Sequence, residues 1–182
     1  MPIAIDGDGT ITGISVGGLP DSIVDADMLG TKTFVSYAII AEQQSSGTNG
    51  GTFTSGAWRT RSLNTEITDP DGIVSISSNA FTLQAGTYLI EWSAIGFQLR
   101  RHRTKLRDTT NSADIGFGLS YFTDESTNAT NASSGAARLT ITSATTYELQ
   151  HRSEQTESAG FGINTGFGDP ETYALVKIYK EA

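Results

Sequence analysis

The sequence predicts an all-β protein, a sandwich or barrel, on three observations. Short stretches carry apolar residues at every second position, as strands do when one face is covered. Turn signals built on glycine and proline separate those stretches. The composition, with 20 glycines in 182 residues and abundant Ser, Thr and Asn, favours turns over helices.

The clearest stretch is Phe81 to Phe97. Beyond Ala85-Gly86, the residues Tyr88, Ile90, Trp92 and Ala94 point one way, and Leu89, Glu91, Ser93 and Ile95 point the other. The first set carries two large aromatics and a β-branched residue, the types that suit a pleated, half-buried surface. We expect it to face the core of a sandwich and this segment to be its central strand.

The remaining elements follow in chain order. Residues 1–30 read as an attachment arm. Asp6-Gly7-Asp8-Gly9-Thr10 and Gly17-Gly18-Leu19-Pro20 are turn or loop signals, and Asp21 is a fair N-cap for a turn or two of helix over Asp21–Leu29. A helix that short is marginal alone, and Ile3, Ile5, Ile14, Val16, Ile23, Val24 and Leu29 give the arm apolar residues to lay on something else. A head domain, 31–182, begins with a strand at Phe34–Ala41, whose Val35, Tyr37, Ile39 and Ala41 share a face. Strands are also expected at Gly56–Asn64, Ile73–Ile76, Leu99–Asp108 and Gly116–Phe122, with a turn at Asp69-Pro70-Asp71-Gly72. Thr123 to Ala136 reads as a long loop. A hairpin around Ser143-Ala144-Thr145 joins Ala137–Thr142 to Thr146–Arg152, and Glu171–Lys180 closes the chain after a glycine-punctuated segment. The expected core is Tyr37, Ile39, Trp58, Ile73, Phe81, Tyr88, Ile90, Trp92, Leu139, Ile141, Tyr147, Leu149, Leu175 and Val176.

Charge and residue counts narrow the function classes. A net charge of −8 is the wrong balance for a general nucleic-acid binder. With no cysteine there is no disulfide framework, thiolate zinc site or cysteine nucleophile. The first residues lack a basic region followed by an apolar run, so no signal peptide is expected, and no stretch approaches the length of a membrane span.

Candidate chemical motifs are weak. Gly13-Ile14-Ser15-Val16-Gly17 matches the nucleophile-elbow pattern, but nothing after Ser15 alternates strand with long helix as that fold requires. Asp6-Gly7-Asp8-Gly9-Thr10 resembles the start of a calcium loop, yet the twelfth position, where a bidentate carboxylate is needed, is Gly17. His102 and His151 are too few for a histidine-rich metal site. We expect no catalytic residue, no metal site and no cofactor. The most unusual local feature is Arg100 to Arg107, where alternation puts Arg101, Arg103, Lys105 and Arg107 on one face. Four like charges on one strand need carboxylates, solvent or an anionic ligand beside them, so these four are the candidate patch for an anionic ligand or partner. No aromatic residue is interleaved there, which argues against single-stranded nucleic acid.

The order Trp58, Arg61, Leu63-Asn64, then Asp71-Gly72-Ile73, then Phe81-Thr82-Leu83, Gly86-Thr87-Tyr88, Ile90 and Trp92, then Gly160-Phe161-Gly162, then Tyr173 to Tyr179 resembles C1q/TNF-like jelly-roll domains, in particular those of bacteriophage fibre and head-decoration proteins. The resemblance implies a homotrimer of two-sheet jelly rolls with apical loops used for binding. No Gly-X-Y stalk precedes the domain, and no acidic cluster matches the calcium site of some relatives. On this resemblance the expected protein is a non-enzymatic structural component of a phage virion: a trimeric capsid decoration or head-fibre protein, anchored by the arm and exposing the head. The alternative is a tail-fibre tip that recognises a host surface glycan. Expected partners are its own copies, capsid or tail proteins of the virion and, in the alternative, that glycan, with no nucleic acid and no membrane insertion.

Overall fold

A computed structural model describes Ala4–Ile5, Ile11–Thr12 and residues 33–123 and 128–182. The chain divides into two compact units, Met1–Thr33 with Ala182 and Phe34–Glu181. In the first, β1 (Ala4–Ile5) pairs antiparallel with β2 (Ile11–Thr12), Ile5 opposite Ile11. The other arm residues, Ile3, Ile14, Val16, Ile23, Val24 and Leu29, lie outside the described residues, as do Ser15 and the short helix expected at Asp21–Leu29.

The second unit is built from strands alone, in two antiparallel sheets. One sheet contains β3 (Phe34–Gln44), β5 (Thr65–Thr68), β8 (Gly86–Phe97), β12 (Thr130–Ile141) and β14 (Glu171–Glu181), in the order β12-β8-β14-β3-β5. The other contains β6 (Val74–Ser77), β7 (Ala80–Leu83), β9 (Arg100–Asp108), β10 (Ala113–Phe117) and β13 (Thr145–Ser153), in the order β10-β9-β13-β7-β6. Short strands extend it: β11 (Tyr121–Thr123) joins β9, and β4 (Arg59–Thr60) joins β13. Between β7 and β14 the chain crosses repeatedly from one sheet to the other, so the core is made by residues far apart in sequence.

That core contains Phe81, Leu83, Leu106, Tyr147 and Leu149 from one sheet and Ala38, Ile40, Tyr88, Ile90, Trp92, Val176 and Ile178 from the other. Fully burying one such side chain stabilises the fold by about 1.5–3 kcal/mol. Polar groups beside the Trp92 ring are matched. Trp92 Nε1 donates to Thr104 Oγ1 at 2.9 Å, and Ser133 Oγ bonds both Thr104 and the Leu119 carbonyl. Opposite Trp92 stands Gly135, where any Cβ would run into the indole. The Asp-Pro-Asp-Gly turn is fixed by Asp69, whose carboxylate accepts from the Ile73 and Val74 amides at 2.9 Å. A two-residue turn of Ser78-Asn79, both at positive φ, joins β6 to β7 in the geometry tight hairpins prefer.

Several expectations need correction. Phe81 to Phe97 is two strands, β7 and β8, in opposite sheets, with β14 rather than β8 at the middle of its sheet. In β3 the inward face is Ala38 and Ile40, and Tyr37 is 46% exposed. Ile39, Leu175, Leu139 and Ile141 are only partly buried, as is Trp58. Residues 56–64 form only the short β4, and β5 was not foreseen. The second half of the expected loop 123–136 belongs instead to the twelve-residue β12. Small and polar residues make a strand there because β8 supplies a complete ladder of partners from Gly86 to Phe97.

Candidate functional site

The cationic strand β9 lies in the seven-stranded sheet, its inward face made by His102, Thr104, Leu106 and Asp108. Arg101, Arg103, Lys105 and Arg107 alternate with these on the outer side. Lys105 and Arg107 each approach Asp114 Oδ1 at 2.8 Å. Their hydrogen bonds and charges hold the Asp114 carboxyl below the usual carboxylate range. Lys105 is buried under the Trp58 ring, its Nζ 4.4 Å from the centroid. Arg101 Nη1 alone donates to Glu154, 3.1 Å from each carboxylate oxygen. Arg103 lies over the Phe117 ring at 4.3 Å and has no carboxylate partner among the described residues.

Directly across the ladder from Arg103 stands Arg152 of β13, exposed and likewise without a carboxylate partner among the described residues. Like charges placed opposite one another in an antiparallel pair repel. Nothing local announces this pair, because it depends on the register of two strands 49 positions apart, as the His102–His151 contact also shows.

Beside the two arginines opens a depression of about 780 Å³ lined by Trp58, Arg101, His102, Arg103, Tyr121, Phe122, Arg152 and Glu154, with Ser55, Gly56, Ser120 and Ser153. Its aromatic residues come from a loop and from β11. No aromatic residue is interleaved in β9 itself, and cross-strand pairing supplies what local sequence does not. Phe122 stands opposite Arg101 and Tyr121 opposite His102.

Behind the depression runs a buried polar chain. Arg61, fully buried, donates through Nε to Glu42 Oε2 at 2.6 Å and through its terminal nitrogens to the carbonyls of Ile95, Phe161 and Tyr173. Burial pushes the Glu42 carboxyl up, against the pull of the Arg61 charge. Arg61 also approaches His151 Nδ1 at 3.5 Å, and His151 Nε2 lies 2.9 Å from His102 Nδ1. A guanidinium only donates. So His151 accepts at Nδ1 and donates from Nε2, and His102 carries its proton on Nε2. That nitrogen is buried and has no partner among the described residues. Burial, with the Arg61 charge, pulls His102 down to about 4 and His151 well below the usual histidine value.

The outer face of the other sheet has a different character. Tyr37 pairs with Tyr179 and Tyr179 with Leu89; Ala41 pairs with Leu175. Phe34 packs on Tyr179 with ring centroids 5.3 Å apart, and Val35 is 50% exposed. Lys177 and Glu91 sit opposite each other within this apolar field. No grouping of His, Asp or Glu suited to a metal ion occurs among the described residues, and no described helix is long and apolar enough to cross a membrane.

No family model and no curated protein matches the sequence. Solved structures do match. The globular domain of zebrafish complement 1qA protein superposes with a TM-score of 0.51 at 15% identity, over 79% of this chain and 94% of its own. Eiger TNF from S. frugiperda gives 0.51 at 12% identity, over 83% and 94%. The chain has the C1q/TNF-like jelly-roll fold. The same fold relates it to the PRD1 vertex protein P5, a phage protein, with a TM-score of 0.50 at 10% identity over 83% of this chain and all of that one.

Proposed function

We propose that the protein is a non-enzymatic structural component of a phage virion, a homotrimeric decoration or head-fibre protein whose residues 1–30 attach it to the particle and whose head, 31–182, is displayed. The observation that carries this reading is the outer face of the five-stranded sheet. Phe34, Val35, Tyr37, Leu89, Leu175 and Tyr179 form a broad apolar surface on a protein whose net charge is −8. Apolar patches of this kind mark sites of association. A second and third copy, arranged about one axis, would cover it and let the Lys177–Glu91 pair meet its equivalents. Three arms and three heads then multiply weak contacts with the particle without a tight single site. The phage origin of a protein with the same fold supports the virion setting.

A second reading, recognition of a host surface glycan by a tail-fibre tip, is favoured by one specific feature, the arginine-lined depression. Two measurements separate the readings. Sedimentation of the protein gives its mass in solution, where a monomer overturns the trimer. Mixing with purified capsids and with host cells follows: capsid binding that disappears on removing residues 1–30 supports decoration, and binding to cells alone overturns it.

A further inference from the structure

We propose that the depression on the seven-stranded sheet binds a carboxylated sugar of an acidic glycan, with the Arg103 and Arg152 guanidinium groups on the carboxylate and the Trp58, Tyr121 and Phe122 rings against the sugar. The inference deepens the glycan-recognition reading and rests on it.

Four features meet at this place. Arg103 and Arg152 face each other across the β9–β13 ladder, and no carboxylate among the described residues neutralises either. Their mutual repulsion is relieved by an anion that both can fork onto, and a planar carboxylate matches the guanidinium fork. Arg103 is held in place by the Phe117 ring, which reduces the rotamer freedom lost on binding. His102 borders the same depression, is 4% exposed, and among the described residues keeps its Nε2 without a partner while Nδ1 is engaged by His151. A buried donor left unmatched is costly. Finally, Tyr121 is 37% and Phe122 57% exposed, so apolar rings are available on the wall. A volume of about 780 Å³ falls within the range of small-ligand pockets.

The charge balance favours a sugar acid over a polyphosphate. Among the described residues three guanidinium groups face one carboxylate, Glu154, within the depression, whereas the whole chain carries −8. A local pit of positive charge on an acidic body attracts one carboxylate and repels a long phosphodiester chain that must also run along the surrounding surface.

The test uses the full chain, titrated with trimers of galacturonic, glucuronic and sialic acid, with their methyl esters and with a thymidine decamer. An acidic trimer is expected to bind, its ester to bind at least about tenfold more weakly, and the chain carrying Arg103→Gln and Arg152→Gln to lose at least about tenfold in affinity without a lower melting temperature. The His102 Nε2–H resonance is expected to shift on binding. Equal affinity for acid and ester, unchanged affinity in the double variant, or tighter binding of the decamer overturns the proposal, as does the absence of binding by all three acids up to about 10 mM. Adhesion to host cells is measured in parallel. Adhesion that persists in the double variant overturns this site and leaves the glycan reading standing, whereas a wild-type protein that does not adhere overturns that reading.

Discussion

The two sheets present opposite answers to the same problem, how to finish the outward side of a strand. On the five-stranded sheet the outer positions are Val35, Tyr37, Leu89, Leu175 and Tyr179, with Lys177 and Glu91 cancelling in the middle. On the seven-stranded sheet they are Arg101, Arg103, Lys105, Arg107 and Arg152, neutralised among the described residues by Asp114 and Glu154 except at the Arg103–Arg152 step. The first face can be completed by another apolar surface, and the second only by water or an anion. Under the proposed functions self-association would use one side of the sandwich and recognition the other, so that a trimer would leave its ligand sites uncovered.

The largest effect that would break this division is loss of the trimer. Tyr37→Glu combined with Leu175→Glu is expected to reduce the mass in solution from three chains to one, while Arg103→Gln with Arg152→Gln leaves it unchanged; sedimentation checks both, and the reverse pattern would exchange the roles of the faces. Next in size is the polar chain behind the cationic face. Arg61→Met leaves the buried Glu42 carboxylate without its partner at 2.6 Å, and a loss of about 3–5 kcal/mol is expected in urea unfolding. The same chain sharpens the comparison through pH. An unfolded histidine takes up a proton near pH 6.5, whereas native His102 stays neutral down to about 4. Stability is therefore fully present above about pH 6.5 and is lost as the pH falls from there toward 4, because the unfolded state binds the extra protons. Thermal melts between pH 8 and 4 read that slope, and a flat profile would mean that His102 and His151 are not held neutral by burial. The smallest effect belongs to the rim. Arg101→Gln removes an exposed ion pair with Glu154 and is expected to cost under about 1 kcal/mol in the same melts.

How far these features can be read from sequence differs between the faces for a physical reason. The inward set Tyr88, Ile90, Trp92 and Ala94 was legible because the outward residues of β8 include Glu91 and Ser93, which fix the phase of the alternation. In β3 the same rule fails. Phe34 to Ala41 is apolar on both sides apart from Ser36, so Tyr37 and Ile39 were as acceptable inside as Ala38 and Ile40. The ambiguity is itself the mark of a strand with two apolar faces, one packed and one outward. The first half of β12 was missed because Asn131 to Gly135 has loop composition, and its strand state is imposed by the neighbouring ladder. The cationic column on β9 was visible as alternation. Its ring partners, its counter-ions and the facing Arg152 were not, since each arrives from another strand. Arg61 stood out only in the family-like order of residues, and nothing local announced that a guanidinium at that position would be enclosed.

One end of the sandwich carries a further consequence. Glu171, 5% exposed, accepts from the backbone amides of Gly47, Thr165 and Gly166 and from the Thr165 hydroxyl, and these bonds hold its carboxyl down at about 2. Asn49 and Tyr173 tie the same segments, through Asn164 and the Thr48 carbonyl. Ile163 and Phe167 stand out from this base, Phe167 at 85% exposed. A single anion thus clamps two loop segments, and the exposed side chains of Ile163 and Phe167 take no part in those bonds. Such a tip can exchange those side chains while its footing stays put.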